Sequence, residues 1–136
     1  MRATPIEGGC LCGSIRYRAT GEHHGSMICH CRTCRRSSGA PMVAWLSLLT
    51  GQFRITRGKP AAFHSSPDVT RTFCAACGTP LTYQRADTPG GIDVTTCTLD
   101  APERFPPTHH SWLAHDLDWV SFDDGLPTFR QSCNDS

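Results

Sequence analysis

Residues 27–41 read MICHCRTCRRSSGAP, placing Cys29, Cys31 and Cys34 within six positions, with His30, Arg32, Arg35 and Arg36 among them. So dense a run of thiols has three explanations: a disulfide framework, a redox dithiol or a metal site. Each implies a different fold. A disulfide framework belongs to a secreted scaffold, a thioredoxin-like dithiol to a βαβ unit, and a metal site to a small domain stapled by an ion.

The surrounding chain separates these possibilities. Its 136 residues suit one core, so residues 1–136 are expected to form a single domain. A hydrophobic fraction of 38%, with ten prolines and twelve glycines, leaves short segments and a modest core that a metal staple would help. Thirteen basic and twelve acidic residues are spread along the chain without a run of like charge, which argues against nucleic acid or an anionic membrane as partner. The start, MRATPIEGG, lacks the apolar stretch of a secretory signal, and the apolar run PMVAWLSLL is well short of the roughly 20 residues that span a bilayer. A soluble, cytoplasmic protein is expected. In a reducing compartment, nine cysteines, an odd number of which seven are closely grouped, point to metal rather than to disulfides.

Outward from the opening stretch, short strand-like segments dominate. In SIRYRAT, Ile15, Tyr17 and Ala19 alternate with Ser14, Arg16 and Arg18, the period of two that buries one face of a sheet. APMVAWLSL, FRIT, AAFHSS, VTRTFC, LTYQ and IDVTT read similarly, most of them separated by glycine, proline or polar turn signals. One short helix is expected at RTCRRSS, closed by Gly39. After Leu99 the proline- and histidine-rich chain promises only a brief turn. The fold class expected is mainly β.

Seven cysteines fall into three clusters: Cys10 and Cys12, Cys29, Cys31 and Cys34, and Cys74 and Cys77. Cys74-Ala-Ala-Cys77 followed by Gly78 has the shape of a zinc knuckle, since the turn brings both sulfurs to one ion while glycine relieves the backbone. Cys10 and Cys12, flanked by Gly9 and Gly13, suit a second tight loop, and the two pairs together make a closed four-thiolate site. The competing redox pair lacks its βαβ context.

The triple Cys29, Cys31 and Cys34 supplies three ligands and leaves one tetrahedral position open, as catalytic zinc requires. His30 is a poor fourth ligand, because neighbours in an extended loop point apart. A distant fourth ligand, Cys97 or one of His109, His110 and His115, would instead close the triple into a second structural site. As lone cysteines, Cys97 is expected to be a small buried hydrophobe and Cys133 a tail thiol. Trp45, Trp112 and Trp119 are expected in the core or a pocket wall. Arg32, Arg35 and Arg36 are candidates for holding substrate carboxylates, or else solvated counter-charges to the thiolates.

Taken in order, GGCLCGSIRY, CHCRTCRRSSGAP, RTFCAACGTPL, IDVTTCTLD and HSWLAHDLDWVSFDDGLPTF resemble the glutathione-dependent formaldehyde-activating enzymes over almost the whole chain. The resemblance implies an Mss4-like β-tent of short antiparallel strands. It implies two zinc ions per chain: one structural, on Cys10, Cys12, Cys74 and Cys77, and one catalytic, on Cys29, Cys31 and Cys34. It further implies a carbon-sulfur lyase that joins a small thiol such as glutathione to formaldehyde, giving S-(hydroxymethyl)glutathione. Cys97 departs from the family pattern, which tends to carry glycine before TLD. The alternative within the same fold is a non-catalytic zinc-binding module for a protein partner, whose second metal needs no exchangeable position.

Overall fold

The structure, a computed structural model, describes residues 4–133. The chain runs β1 (Ile6–Gly9), β2 (Arg16–Ala19), β3 (Gly25–Cys29), α1 (Arg32–Ser38), β4 (Val43–Leu49), β5 (Phe53–Arg57) and β6 (Ala61–Ser66). It continues with β7 (Val69–Phe73), β8 (Pro80–Arg85), β9 (Gly91–Thr95) and β10 (His110–Ser111). Single 3-10 turns follow β4 and β9, and two more lie at Pro102–Arg104 and Leu113–His115. This is the mainly β tent expected.

Two sheets form. The smaller has the order β1-β2-β5 and the larger β10-β3-β4-β9-β8-β7-β6. Neighbours are antiparallel except β10, which lies parallel to β3. The alternation in SIRYRAT holds: Ile15, Tyr17 and Ala19 are buried while Arg16 and Arg18 reach the surface. With Ile6 they pack on Leu46, Leu48, Leu81, Ile92 and Val94 of the large sheet, and Leu99 and Phe105 join the same cluster. Each large apolar side chain so buried contributes about 1.5–3 kcal/mol, so this inter-sheet layer is the main source of stability. Burial pushes the Tyr17 hydroxyl up to about 12, and it pairs with Thr98 at 2.7 Å, which ties β2 to the turn after β9.

The expected helix forms over Arg32–Ser38 and stops at Gly39, whose φ of 68° is left-handed and whose N–H returns to the Arg35 carbonyl. Three strands are not visible in the local sequence pattern. β1 is glycine-rich, β3 mixes Gly25, Ser26 and Met27 without alternation, and β10 has two residues. Their pairing comes from neighbours rather than from local pattern.

Two expectations are corrected. Cys97 is exposed, because it sits at the middle of the turn Thr96–Thr98, with buried Thr96 and half-buried Thr98 on either side. Trp119 is 68% exposed, because it lies in the tight turn closed by Val120 N–H on the Leu117 carbonyl, outside both cores. Trp45 is buried as expected, and Trp112 is half-buried. Among the described residues, no helix is long and apolar enough to cross a membrane.

Candidate functional site

The fold gathers the seven clustered cysteines into two groups. Cys10 and Cys12 in the β1–β2 turn meet Cys74 and Cys77 in the β7–β8 turn, all four sulfurs lying within 4.8 Å of one another. The Sγ atoms of Cys10 and Cys12 are 3.6 Å apart, and those of Cys12 and Cys74 are 3.8 Å apart. These separations far exceed a disulfide bond of about 2.05 Å. They match the roughly 3.8 Å edge of a tetrahedron with metal–sulfur bonds near 2.3 Å. This donor set therefore fits a closed metal site.

The loops build this group from their own backbone. Cys74 Sγ accepts the Cys77 N–H, the Gly78 N–H returns to the Cys74 carbonyl, and Gly78 takes the left-handed φ of 82° that favours glycine. The Ser14 hydroxyl lies 3.1 Å from Cys12 Sγ and 3.3 Å from Cys74 Sγ, and the Thr79 hydroxyl lies 3.2 Å from Cys77 Sγ. Such donors favour thiolates. The Thr79 hydroxyl and neighbouring backbone hold the Cys77 thiol down at about 5. At Cys10 burial works the other way, but the Ile15 N–H and the Ser14 hydroxyl outweigh it, giving about 7.

The second group is Cys29, Cys31 and Cys34, with sulfurs again within 4.8 Å of one another. Cys29 ends β3, Cys31 is the N-cap of α1, and Cys34 is its buried residue. Cys31 Sγ accepts the Cys34 N–H at 3.3 Å, so the cap that starts the helix also turns two sulfurs toward each other. Trp45 is buried with Cys29 and Cys34, and Met27, Val43, Tyr83 and Trp112 pack around them.

Three crowded thiols do not ionise alike. Hydrogen bonds from Cys29 and Cys34 hold the Cys31 thiol far below its ordinary range. The same contact with Cys31, then Cys34 and burial, pushes Cys29 far up. At Cys34 the Cys29 contact favours the thiolate, but Cys31 and burial prevail and raise it, against the pull of Arg71. By themselves the three sulfurs thus favour one shared negative charge, and full ionisation requires a cation among them. The donor set fits a thiophilic metal.

Two neighbours of the triple were missed from sequence. Arg71 on β7 is buried, donating from Nε to Ser65 at 3.0 Å and from its terminal nitrogens to Ser37 at 3.1 Å and Thr33 at 3.2 Å. Its two terminal nitrogens lie 3.7 and 3.9 Å from Cys34 Sγ, and its guanidinium stacks over the Tyr83 ring at 4.9 Å. No carboxylate forms an ion pair with it among the described residues, so its charge is directed at the sulfurs. The signal was present in VTRTFC, where alternation sets Arg71 on the inward side with Val69.

The other missed neighbour is a chain of three side chains. His30 is fully buried, its Nε2 lying 2.9 Å from His110 Nδ1, and His110 Nε2 lies 2.8 Å from Asp124 Oδ2. Phe122 stacks on His110 at 4.0 Å. His30 therefore turns away from the sulfurs, as its place between Cys29 and Cys31 led one to expect. Partners 80 residues apart leave no local pattern in sequence.

Among the described residues, Cys97, His109, His110 and His115 do not join the triple's donor group. His115 Nδ1 accepts the Arg32 N–H at 3.4 Å, and its ring lies 5.0 Å from that of Trp112. Trp112 itself has φ 64°, the sole left-handed non-glycine backbone among the described residues, held by its N–H on the Gln131 carbonyl. Of the three arginines on α1, Arg36 lines a cavity of about 540 Å³ together with Arg71, whereas Arg32 and Arg35 do not.

The family described as glutathione-dependent formaldehyde-activating enzyme matches residues 5–115. A search of the curated proteins returned no match. Among solved structures, a crystal structure described as a Rhodobacter sphaeroides protein, a structural-genomics target, is similar with a TM-score of 0.58 at 21% identity. The similarity covers 90% of this chain and 98% of that one. At that identity the likeness speaks for the fold alone.

Proposed function

The chain belongs to the family of glutathione-dependent formaldehyde-activating enzymes, and from that premise we propose that it is a zinc-dependent carbon-sulfur lyase of the S-(hydroxymethyl)glutathione synthase type. The reading assigns it to the cytoplasm and gives it glutathione, or a closely similar thiol, as substrate. Cys10, Cys12, Cys74 and Cys77 would hold a structural zinc, and Cys29, Cys31 and Cys34 a catalytic one. The observation that carries this is the difference in donor number. Four sulfurs close a tetrahedron, while three sulfurs, with no fourth donor in their group among the described residues, leave room for a substrate atom.

When bound at the triple, zinc supplies a position at which a substrate thiol ionises and an aldehyde oxygen is polarised. The protein's part is electrostatic and steric. Arg71 sets a fixed positive charge against Cys34, so an incoming thiolate meets less net repulsion than three thiolates and one dication would present. Trp45 and Trp112 wall the sulfurs with apolar surface, which limits competing water. In the reaction proposed, the glutathione sulfur attacks the carbonyl carbon and forms one C–S bond. The C=O π pair moves to oxygen, and that oxygen takes a proton equivalent to the one the thiol gave up. Nothing leaves, and the reverse step releases the aldehyde.

Cobalt(II) in place of zinc provides the test. Glutathione should add a fourth sulfur-to-cobalt charge-transfer contribution in the wild-type protein and none in Cys34→Ser. An unchanged spectrum at saturating glutathione would sink the open-site reading and favour the non-catalytic zinc-binding module.

A further inference from the structure

Beside the triple, α1, β4, β6, β7 and β8 enclose the cavity of about 540 Å³, within the range of small-molecule sites. Two guanidiniums line it, Arg36 and Arg71, and no carboxylate does. The two cations differ in how they are engaged. Arg71 spends its donors on Ser65, Ser37, Thr33 and the Cys34 sulfur. The Arg36 side chain is exposed and makes no hydrogen bond or ion pair among the described residues, so its planar fork of donors is available to a ligand.

The rest of the lining suits a short peptide-like body. Trp45, Phe63, Phe73 and Pro80 give apolar walls, and Thr72 and Thr82, whose hydroxyls bond each other, add one polar point. Phe63 is 62% exposed on the edge strand β6, an aromatic surface facing the cavity and left uncovered by the fold. The cavity also adjoins the thiols through shared residues. Thr33 lines it and places its Oγ1 3.3 Å from Cys31 Sγ, and Arg71 lines it while touching Cys34.

We infer that this cavity seats the body of a small thiol bearing a free carboxylate, with that carboxylate paired to Arg36 and the thiol end directed past Thr33 toward Cys31 and Cys34. The inference rests on the enzymatic reading above and adds where the substrate is held and why a carboxylate is required of it. Arg36 acts here as an anchoring residue, and Arg71 lends its field without giving up its bonds.

S-Methylglutathione separates this from the metal chemistry, since it keeps both carboxylates and has no thiol to ionise. Calorimetric titration into the zinc-loaded protein should show binding to wild type and at least tenfold weaker binding to Arg36→Gln. Arg36→Lys should fall between, Phe63→Ala should weaken binding severalfold, and Arg54→Gln, on the other sheet, should match wild type. The dimethyl ester of the same probe should bind wild type no better than the acid binds Arg36→Gln. Equal affinity of wild type and Arg36→Gln, or no heat up to millimolar probe, would overturn the inference. If S-methylglutathione binding depends on Arg36 while glutathione leaves the cobalt spectrum unchanged, the cavity assignment stands and the lyase reading falls. If instead glutathione changes the cobalt spectrum while S-methylglutathione binding ignores Arg36, the lyase reading stands and the cavity assignment falls.

Discussion

The two thiol groups share the same C-x-x-C turn and differ in what surrounds it. In each, the first sulfur accepts the N–H of the second cysteine, at 3.4 Å in Cys74–Cys77 and 3.3 Å in Cys31–Cys34. The first group then draws its remaining sulfurs from a segment far away in sequence, with Cys12 and Cys74 62 residues apart, and it is served by the neutral hydroxyls of Ser14 and Thr79. The second is complete within one stretch and has a buried guanidinium, a histidine pair and a cavity around it. Joining distant strands calls for four donors and no further chemistry. The proposed substrate site would call for fewer protein donors and a charge that favours an incoming anion.

The sharpest break of this comparison is to remove one sulfur from each group. Wild-type protein should carry about two zinc ions per chain, and Cys77→Ser should unfold or aggregate. The reason is that a structural zinc contributes on the order of 10 kcal/mol, comparable to the whole stability of a domain. Cys34→Ser should stay folded with about one zinc per chain and lose glutathione binding. Thermal melts with zinc counted in each variant decide the matter, and equal collapse of both would make the triple a second staple.

A smaller effect is expected at Arg71. Arg71→Gln removes a buried cation from Cys34 and from the hydroxyls of Thr33, Ser37 and Ser65, which should cost about 3 kcal/mol. It should also make zinc at the triple easier to strip with a chelator, while the first group keeps its own. A loss shared equally by both groups would mean that Arg71 supports the fold rather than the triple.

Next comes His110, buried between His30 and Asp124. His110→Gln should cost about 2 kcal/mol through the orphaned His30 nitrogen, read as a lower midpoint in urea. Metal content of the first group should not change.

The smallest effect is on pH dependence. Burial, then His110, holds His109 below the ordinary imidazole range. A group depressed in the folded state contributes stability that is present above its unfolded pKa of about 6.5 and lost as pH falls through the folded value. Asp124, lowered by the Leu126 N–H and by His110, adds a loss of the same sign further into acid. Between pH 7.5 and 5, the drop in melting temperature should be shallower for His109→Gln than for wild type. Identical slopes would rule out a contribution from His109 and leave His30, which burial and then His110 also lower, and Asp124 as acid-sensitive groups.

Local patterns carried much of the fold into view from the residues. β2, β7 and α1 follow from alternation and from a glycine stop, and the thiol groupings follow from turn spacing. What stayed hidden depends on partners distant in sequence. β3 pairs with β4 and β10 without an alternating pattern of its own, and the histidine–aspartate chain joins residues 30, 110 and 124. Cys97 and Trp119 were misplaced for a related reason: residue type suggests burial, but the direction of a side chain in a turn is decided by which flanking residues the core takes.

The spacing of the two groups also sets an order of assembly. All three sulfurs of the triple are present once residue 34 has been made, whereas the fourth sulfur of the other group arrives only with residue 77, and its loop must then close. Closing the longer loop carries the larger entropic penalty and waits on the sheets that bring the two turns together. A chain emerging from the ribosome therefore presents the three thiols of the triple to metal first, before Arg71 or the cavity beside them exists. On the catalytic-zinc proposal, the group whose outer ligand exchanges in the finished protein is also the one whose sulfurs are the first to be made.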